Sequence, residues 1–123
     1  MDTSSGGNKL RSERMFDVRV LEKRIEAAMR LQVEKMGGKF LKWVSPGNDG
    51  VPDRIAILPN GEVWFIELKA DDGVVAPLQA YWQQLLTSLG CNAIIIKGCD
   101  AAVDWCTQRR LEIEAWKEAR GGV

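Results

Sequence analysis

The sequence predicts a small α/β domain with the element order helix, three strands, helix, strand, helix. Three observations carry this. From Asp17 to Met36, apolar residues recur at helical spacing and the stretch closes on Gly37-Gly38. Two short runs, Ile55 to Leu58 and Val63 to Ile66, flank Pro59-Asn60-Gly61 and read as a β-hairpin. Ala93-Ile94-Ile95-Ile96 is a continuous apolar run of the kind found in strands covered on both faces. A mixed sheet with helices on both faces accommodates this order, and periodicity alone goes no further than that.

The chain has 123 residues, enough for one core and not two. Its 17 Lys and Arg balance 17 Asp and Glu, so no global basic field draws it onto nucleic acid, and any such binding must come from a local patch. Histidine is absent, which removes Ser-His-Asp and Cys-His nucleophilic machinery and His-ligated zinc. The cysteines Cys91, Cys99 and Cys106 are odd in number and lack Cys-x-x-Cys spacing. Buried free thiols and a cytoplasmic, reducing setting are expected. No signal peptide or membrane-spanning run is read, and no organic cofactor is expected.

In chain order, residues 1–14 are expected to form a disordered arm, its first eight being polar and glycine-bearing, with a single domain over 15–120. The first helix carries an apolar stripe of Val18, Leu21, Ile25, Met29, Gln32, Val33 and Met36, with Lys23, Arg24, Arg30 and Glu34 opposite. Glu22 falls inside that stripe, where a carboxylate needs a charge partner or a metal. Glu26 sits at its edge and can be solvated. Lys39 to Val44 reads as a strand. Ser45 to Pro52 is a loop rich in Pro, Gly, Asn and Asp that delivers the chain to Asp53. Lys42, Asn48 and Arg54 are candidate phosphate ligands around it, with an ordinary surface role equally open to each.

The hairpin register decides what Asp53 can meet. A two-residue loop sets Asp53 opposite Leu68 and turns it away from Glu67. A three-residue loop pairs Leu58 with Glu62, Ile55 with Phe65 and Asp53 with Glu67, and Gly61 suits the left-handed position such a loop needs. The three-residue loop is expected, with Asp53, Glu67 and Lys69 on one face above Ile55, Ile57, Val63 and Phe65. Adjacent carboxylates repel and are tolerated where a cation bridges them. Hard oxygen donors suit Mg²⁺, and Lys69 could orient a water or steady phosphate charge.

After a loop from Asp71 to Pro77, a helix is expected over Leu78 to Leu89 with Leu78, Trp82, Leu85, Leu86 and Leu89 as its core stripe and Gly90 as its stop. Gln79 lies in its first turn, either as a polar helix-start residue or turned toward the Glu67–Lys69 strand. A strand follows over Asn92 to Lys97. Asp100 is expected to cap a last helix that runs to about Ala119. That helix has two partly apolar faces: Val103, Cys106, Arg110 and Ile113 on one, Trp105, Arg109, Glu112 and Trp116 on the other.

Gly50-Val51-Pro52-Asp53-Arg54-Ile55, followed by Phe65-Ile66-Glu67-Leu68-Lys69-Ala70, resembles the PD-(D/E)XK nuclease superfamily, and within it the virus-type replication-repair nuclease (VRR-NUC) domain. The resemblance extends from about Glu22 to about Cys99. It implies an α/β/α restriction-endonuclease-like fold with order αβββαβα, and a Mg²⁺- or Mn²⁺-dependent DNA endonuclease. By the same resemblance Asp53, Glu67 and the Leu68 carbonyl hold metal, Glu22 assists directly or through water, Lys69 is the catalytic lysine, and Gln79 matches the family's glutamine. Stand-alone domains of the family are similar to Holliday junction resolvases, which implies a homodimer on branched DNA, with Trp105 and Trp116 available to be covered. A flap-type repair nuclease and a non-catalytic nucleic-acid-binding module are the alternatives.

Overall fold

The computed structural model describes residues 11–121. Three helices and four strands follow one another as α1 (Arg11–Lys35), β1 (Lys39–Lys42), β2 (Arg54–Ile57), β3 (Val63–Lys69), α2 (Pro77–Ser88), β4 (Asn92–Lys97) and α3 (Gly98–Ala119). This is the expected order. The sheet runs β1-β2-β3-β4, antiparallel through β3 and parallel between β3 and β4, where α2 supplies the crossover that a parallel pair needs.

Residues paired across the sheet share a face. On one face, Phe40, Ala56, Leu58, Ile66, Leu68 and Ile96 meet Ile25, Met29 and Val33 of α1 and Ala102, Trp105, Cys106 and Ile113 of α3 in a single buried cluster. Each large side chain so buried is worth about 1.5–3 kcal/mol, which makes this face the stable half of the molecule. The other face carries Ile55, Phe65, Glu67, Lys69, Ala93 and Ile95, and among the described helices α2 lies over it. Ile57 and Val63, at its far end, are left partly exposed.

Several expectations are corrected. Helix α1 begins at Arg11, not Asp17, so positions 11–14 of the proposed arm are helical, while residues 1–10 lie outside the described residues. Leu21 and Gln32 are exposed because α1 meets the sheet along a narrower line, Ile25–Met29–Val33–Met36; the Val18 side chain lies outside those described. In α2 only Leu86 is buried, and Leu78 and Leu89 stand out at the two ends, beyond the strands beneath. Asp100 does not cap α3: the helix starts two residues earlier, at Gly98, and Asp100 lies within its first turn.

The two faces assigned to α3 also shift. Trp105 and Arg109 are buried, whereas Val103 and Arg110 are exposed. Trp105 meets Trp64 edge-on at 5.7 Å, and the Arg109 guanidinium lies over the Trp64 ring at 4.6 Å. Trp105 is therefore core, covered by its own sheet, and cannot serve a partner. Of the cysteines, all free, only Cys106 is buried; Cys91 is half-buried and Cys99 exposed. Among the described residues no helix is long and apolar enough to cross a membrane.

Candidate active site

The hairpin takes the three-residue loop. The Leu58 amide donates to Glu62 O at 2.9 Å, the Gly61 amide to Leu58 O at 2.9 Å, and Ile55 faces Phe65. Gly61 has φ +91°, the left-handed conformation that disfavours a side chain. The register continues to set Asp53 beside Glu67. One further ladder bond, Trp43 N–H to Asp53 O at 3.0 Å, extends the β1–β2 pairing past the strand ends and fixes the Asp53 backbone. Trp43 also packs on Phe65 with ring centroids 5.2 Å apart, so the floor beneath Asp53 is rigid.

The loop before Asp53 is held from the α2 side. Trp82 Nε1 donates to Asp49 O at 3.0 Å, and Gly50 (φ +89°) lies so close to Leu78 that a Cβ there would collide with it. The exposed Leu78 thus seats the loop, and Gly-Val-Pro-Asp has a packing reason for its first residue.

Glu67 is only 6% exposed, and two side chains converge on its Oε2. Lys69 Nζ lies 3.7 Å from Glu67 Oε2, and Gln79 Nε2 donates to the same oxygen at 3.0 Å. Gln79 Oε1 accepts the Ala76 N–H at 2.8 Å, closing the start of α2. Both readings of Gln79 hold together: one end of its amide closes the helix and the other reaches Glu67. Burial, then the neighbouring Asp53 charge, push Glu67 up to about 7 against the partial relief from Lys69, and Glu22 adds to the upward pressure. Asp53 is likewise raised, chiefly by burial, opposed by Arg54, by backbone hydrogen bonds at Leu68 and at Asp53 itself, and by Lys69. Its Oδ1 is buried with no hydrogen-bond partner.

Glu22 and Glu26 both line a cleft of about 160 Å³ together with Lys23, Asp53, Arg54 and Leu68, but their surroundings differ. Glu26 Oε2 is bound by Arg30 and lies 3.3 Å from Arg54 Nε. Glu22 is half-buried, and its charge is felt at Glu67. It is less buried than its place in the stripe implied, as is its neighbour Leu21. Arg54 is shared between Glu26, the Asp53 carbonyl, to which its Nη1 donates at 2.8 Å, and the Asp53 carboxylate, whose Oδ2 lies 4.0 Å from the same nitrogen. Lys42 is exposed on β1, and Asn48 is exposed with its amide donating to Ser45 Oγ at 3.0 Å. The Glu26–Arg30–Arg54 cluster escaped the sequence reading; its signal is the i, i+4 spacing of Glu26 and Arg30.

The donor set fits a hard divalent cation: two adjacent carboxylates, one with an orphaned buried oxygen, both pushed toward protonation chiefly by burial. Among the described residues no three His, Cys, Asp or Glu side chains stand close enough together to hold a metal ion, so Asp53 and Glu67 would act as a pair with Glu22 at one remove. A larger groove of about 350 Å³ between α1 and α3, lined by Ile25, Met29, Ala102 and Val103, lies apart from these carboxylates.

No family model matches the chain. It is 40% identical over 81 residues to a protein named "Putative nuclease p44" from Acyrthosiphon pisum secondary endosymbiont phage 1, covering 66% of this chain and 87% of that one. It is also similar to a solved structure described as a VRR_NUC domain, with TM-score 0.64 and 28% identity over 71% of this chain and 94% of the other.

Proposed function

Because this chain belongs to the VRR-NUC family of nucleases, we propose that it is a metal-dependent, structure-selective DNA endonuclease that hydrolyses phosphodiester bonds. The observation that carries this reading is the Asp53–Glu67 pair: Glu67 is buried, Asp53 Oδ1 is buried without a hydrogen-bond partner, and Lys69 Nζ lies 3.7 Å from Glu67 Oε2. Asp53, Glu67 and the Leu68 carbonyl would hold Mg²⁺ or Mn²⁺, with Glu22 contributing directly or through a water. When bound, such an ion supplies Lewis-acid stabilisation of charge on the scissile phosphate and its leaving oxygen.

The side chains do the rest. Asp53 and Glu67 stay ionised once their charge is compensated, and their oxygens would hold the compensating cation in place. Gln79 holds Glu67 in one rotamer through Oε2 while α2 holds Gln79. Lys69, half-buried beside Glu67, orients the attacking water and steadies the phosphate charge as it develops.

The proposed substrate is branched DNA, a four-way junction cut by a homodimer with two sites at fixed separation. Zero net charge favours pairing, since each copy has little long-range attraction for DNA. With Trp105 in the core, the apolar residues that pairing could cover are Leu31, Val103 and Leu111, each more than half exposed on α1 and α3. The test is cleavage of duplex, flap, splayed and four-way DNA in Mg²⁺, with and without EDTA, alongside light scattering. Metal-dependent nicking of opposed junction strands by a dimer is expected. Preference for flaps by a monomer would replace the junction assignment with the flap-nuclease one, and cutting in EDTA would remove the metal.

A further inference from the structure

The sheet places a second lysine beside Lys69. Strands β3 and β4 are parallel and in register, and their last paired positions are Lys69 and Lys97. Residues so paired share a face and stand about 4.8 Å apart across the strands. Lys97 therefore projects from the same face as Asp53, Glu67 and Lys69, at the same end of the sheet. The two lysines differ in what surrounds them. Lys69 is tucked in beside Glu67, with 15% of its side chain exposed. Lys97 is exposed, and among the described residues it makes no ion pair within 4.0 Å.

Like charges directly opposed across strands are unfavourable; Glu67 compensates Lys69 here, and Lys97 has no such partner among the described residues. A lysine on an edge strand also discourages strand-to-strand aggregation. Any exposed position on β4 would serve that end; only this one sets an ammonium next to the proposed catalytic lysine. Two acidic residues lie next to this strand end in sequence or space, and neither comes within 4.0 Å of the Lys97 ammonium. Asp71 packs against Gly98, the first residue of α3, and Asp100 lies in the first turn of that helix. On the opposite flank of the carboxylates Arg54 is already bound to Glu26. Lys97 thus offers substrate an exposed ammonium on the β4 side, as Lys23 does in the cleft on the α1 side.

Resting on the nuclease reading, we propose that Lys97 is a DNA-binding residue that grips the backbone phosphate next to the scissile one, while Lys69 serves the scissile phosphate itself. Lys97 fixes the path of the cut strand along the end of β3 and β4. Its contribution is to binding and not to the chemical step.

The experiment measures binding of the full chain to a labelled four-way junction, with Ca²⁺ replacing Mg²⁺, over a series of KCl concentrations. It compares wild type, Lys97→Ala, Lys97→Arg and, as a remote control on α3, Lys117→Ala, and steady-state cleavage is followed in Mg²⁺. For Lys97→Ala, affinity at low salt should fall about fivefold and the slope of log affinity against log salt should shrink by about one phosphate contact. KM should rise with kcat nearly unchanged. Lys97→Arg should restore both, and Lys117→Ala should match wild type. Wild-type affinity and salt slope in Lys97→Ala would overturn the proposal, as would a fall in kcat at constant KM. Equal loss in the Ala and Arg variants with a lowered melting temperature would assign Lys97 a structural role instead. If wild type itself neither binds nor cuts DNA, the nuclease reading has failed and the Lys97 assignment falls with it.

Discussion

Two charge clusters lie side by side where β2 begins and β3 ends, and they are built differently. In the first, one carboxylate, Glu26, is held between two guanidinium groups, Arg30 and Arg54. In the second, two carboxylates, Asp53 and Glu67, crowd together with one ammonium, Lys69, and Glu22 adds negative charge nearby. The first ties α1 to the hairpin, and from it Arg54 reaches within 4.0 Å of Asp53 Oδ2. In the second, burial is the main force pushing both carboxylates toward protonation, and the neighbouring cations relieve it only in part, which leaves an electrostatic deficit. A structure can carry such a deficit where binding removes it, so the imbalance, more than any single residue, separates the working end of the sheet from its scaffolding.

Removing a member of the under-charged cluster should have the largest effect on activity. Asp53→Ala, Glu67→Ala and Lys69→Ala are each expected to lower cleavage on the order of a thousandfold or more, with circular dichroism and melting temperature near wild type. Retained cleavage in any of the three would break the contrast at once. Equilibrium binding should survive better than cutting, and neutralising Asp53 or Glu67 removes a charge that repels phosphate.

The same deficit predicts a pH effect on stability. Glu67 sits near 7 in the folded chain against an ordinary value of 4.5, so between those values the folded state holds a proton that the unfolded state releases. The favourable contribution is therefore full below about pH 4.5 and is lost as pH rises through 7. The difference is of order 3 kcal/mol. Without divalent metal, Glu67→Gln should be more stable than wild type at pH 8, and the gap should narrow toward pH 5. Added Mg²⁺ should stabilise wild type and leave Glu67→Gln nearly unmoved. Urea unfolding at three pH values, with and without Mg²⁺, reads all of this; a gap independent of pH would show that Glu67 is not the strained group.

Exchanging one glutamate from each cluster sharpens the comparison further. Glu22→Gln is expected to reduce cleavage about tenfold or more with little change in melting. Glu26→Gln should do the reverse, keeping cleavage and costing about 1–3 kcal/mol as Arg30 and Arg54 lose their shared acceptor. The opposite ranking would mean that Glu26 faces the substrate.

Much of the site was legible because it is local. The hairpin register follows from three turn residues, and the register alone brings Asp53 to Glu67. The core face of α1 was legible where it meets the sheet, at Ile25, Met29 and Val33, and misread at Leu21 and Gln32, where contact ends. Periodicity gives the phase of a helix but not how far its partner extends. Trp105 and Arg109 were misread for a related reason. A tryptophan and an arginine i, i+4 on a helix look like a surface pair until Trp64, 41 positions before Trp105, is seen to receive both of them. Lys97 was hidden because strand adjacency in a parallel pair is set by the crossover helix, and no local pattern announces it.

The smallest expected effect belongs to Gln79, which joins the deficient cluster to the rest of the fold. Its amide bridges two elements: Nε2 to Glu67 Oε2 on β3, and Oε1 to the Ala76 N–H at the start of α2. Gln79→Ala removes both bonds, leaves Ala76 N–H to water and frees Glu67 to change rotamer. A stability loss of about 1 kcal/mol is expected, typical of a neutral hydrogen bond. Activity should fall several-fold, since Glu67 keeps Lys69 as a second restraint. Gln79→Glu separates the two roles. A glutamate can still accept the Ala76 N–H, but it adds a further carboxylate beside Glu67, where negative charge is already in excess. It should therefore keep the helix start, raise the Glu67 pKa further and depress activity more than Gln79→Ala does. Melting curves and single-turnover cleavage of the two variants decide the matter. If the glutamate variant is the more active of the pair, Gln79 matters only as a helix-start residue, and the imbalance of charge around Glu67 is not what tunes the site.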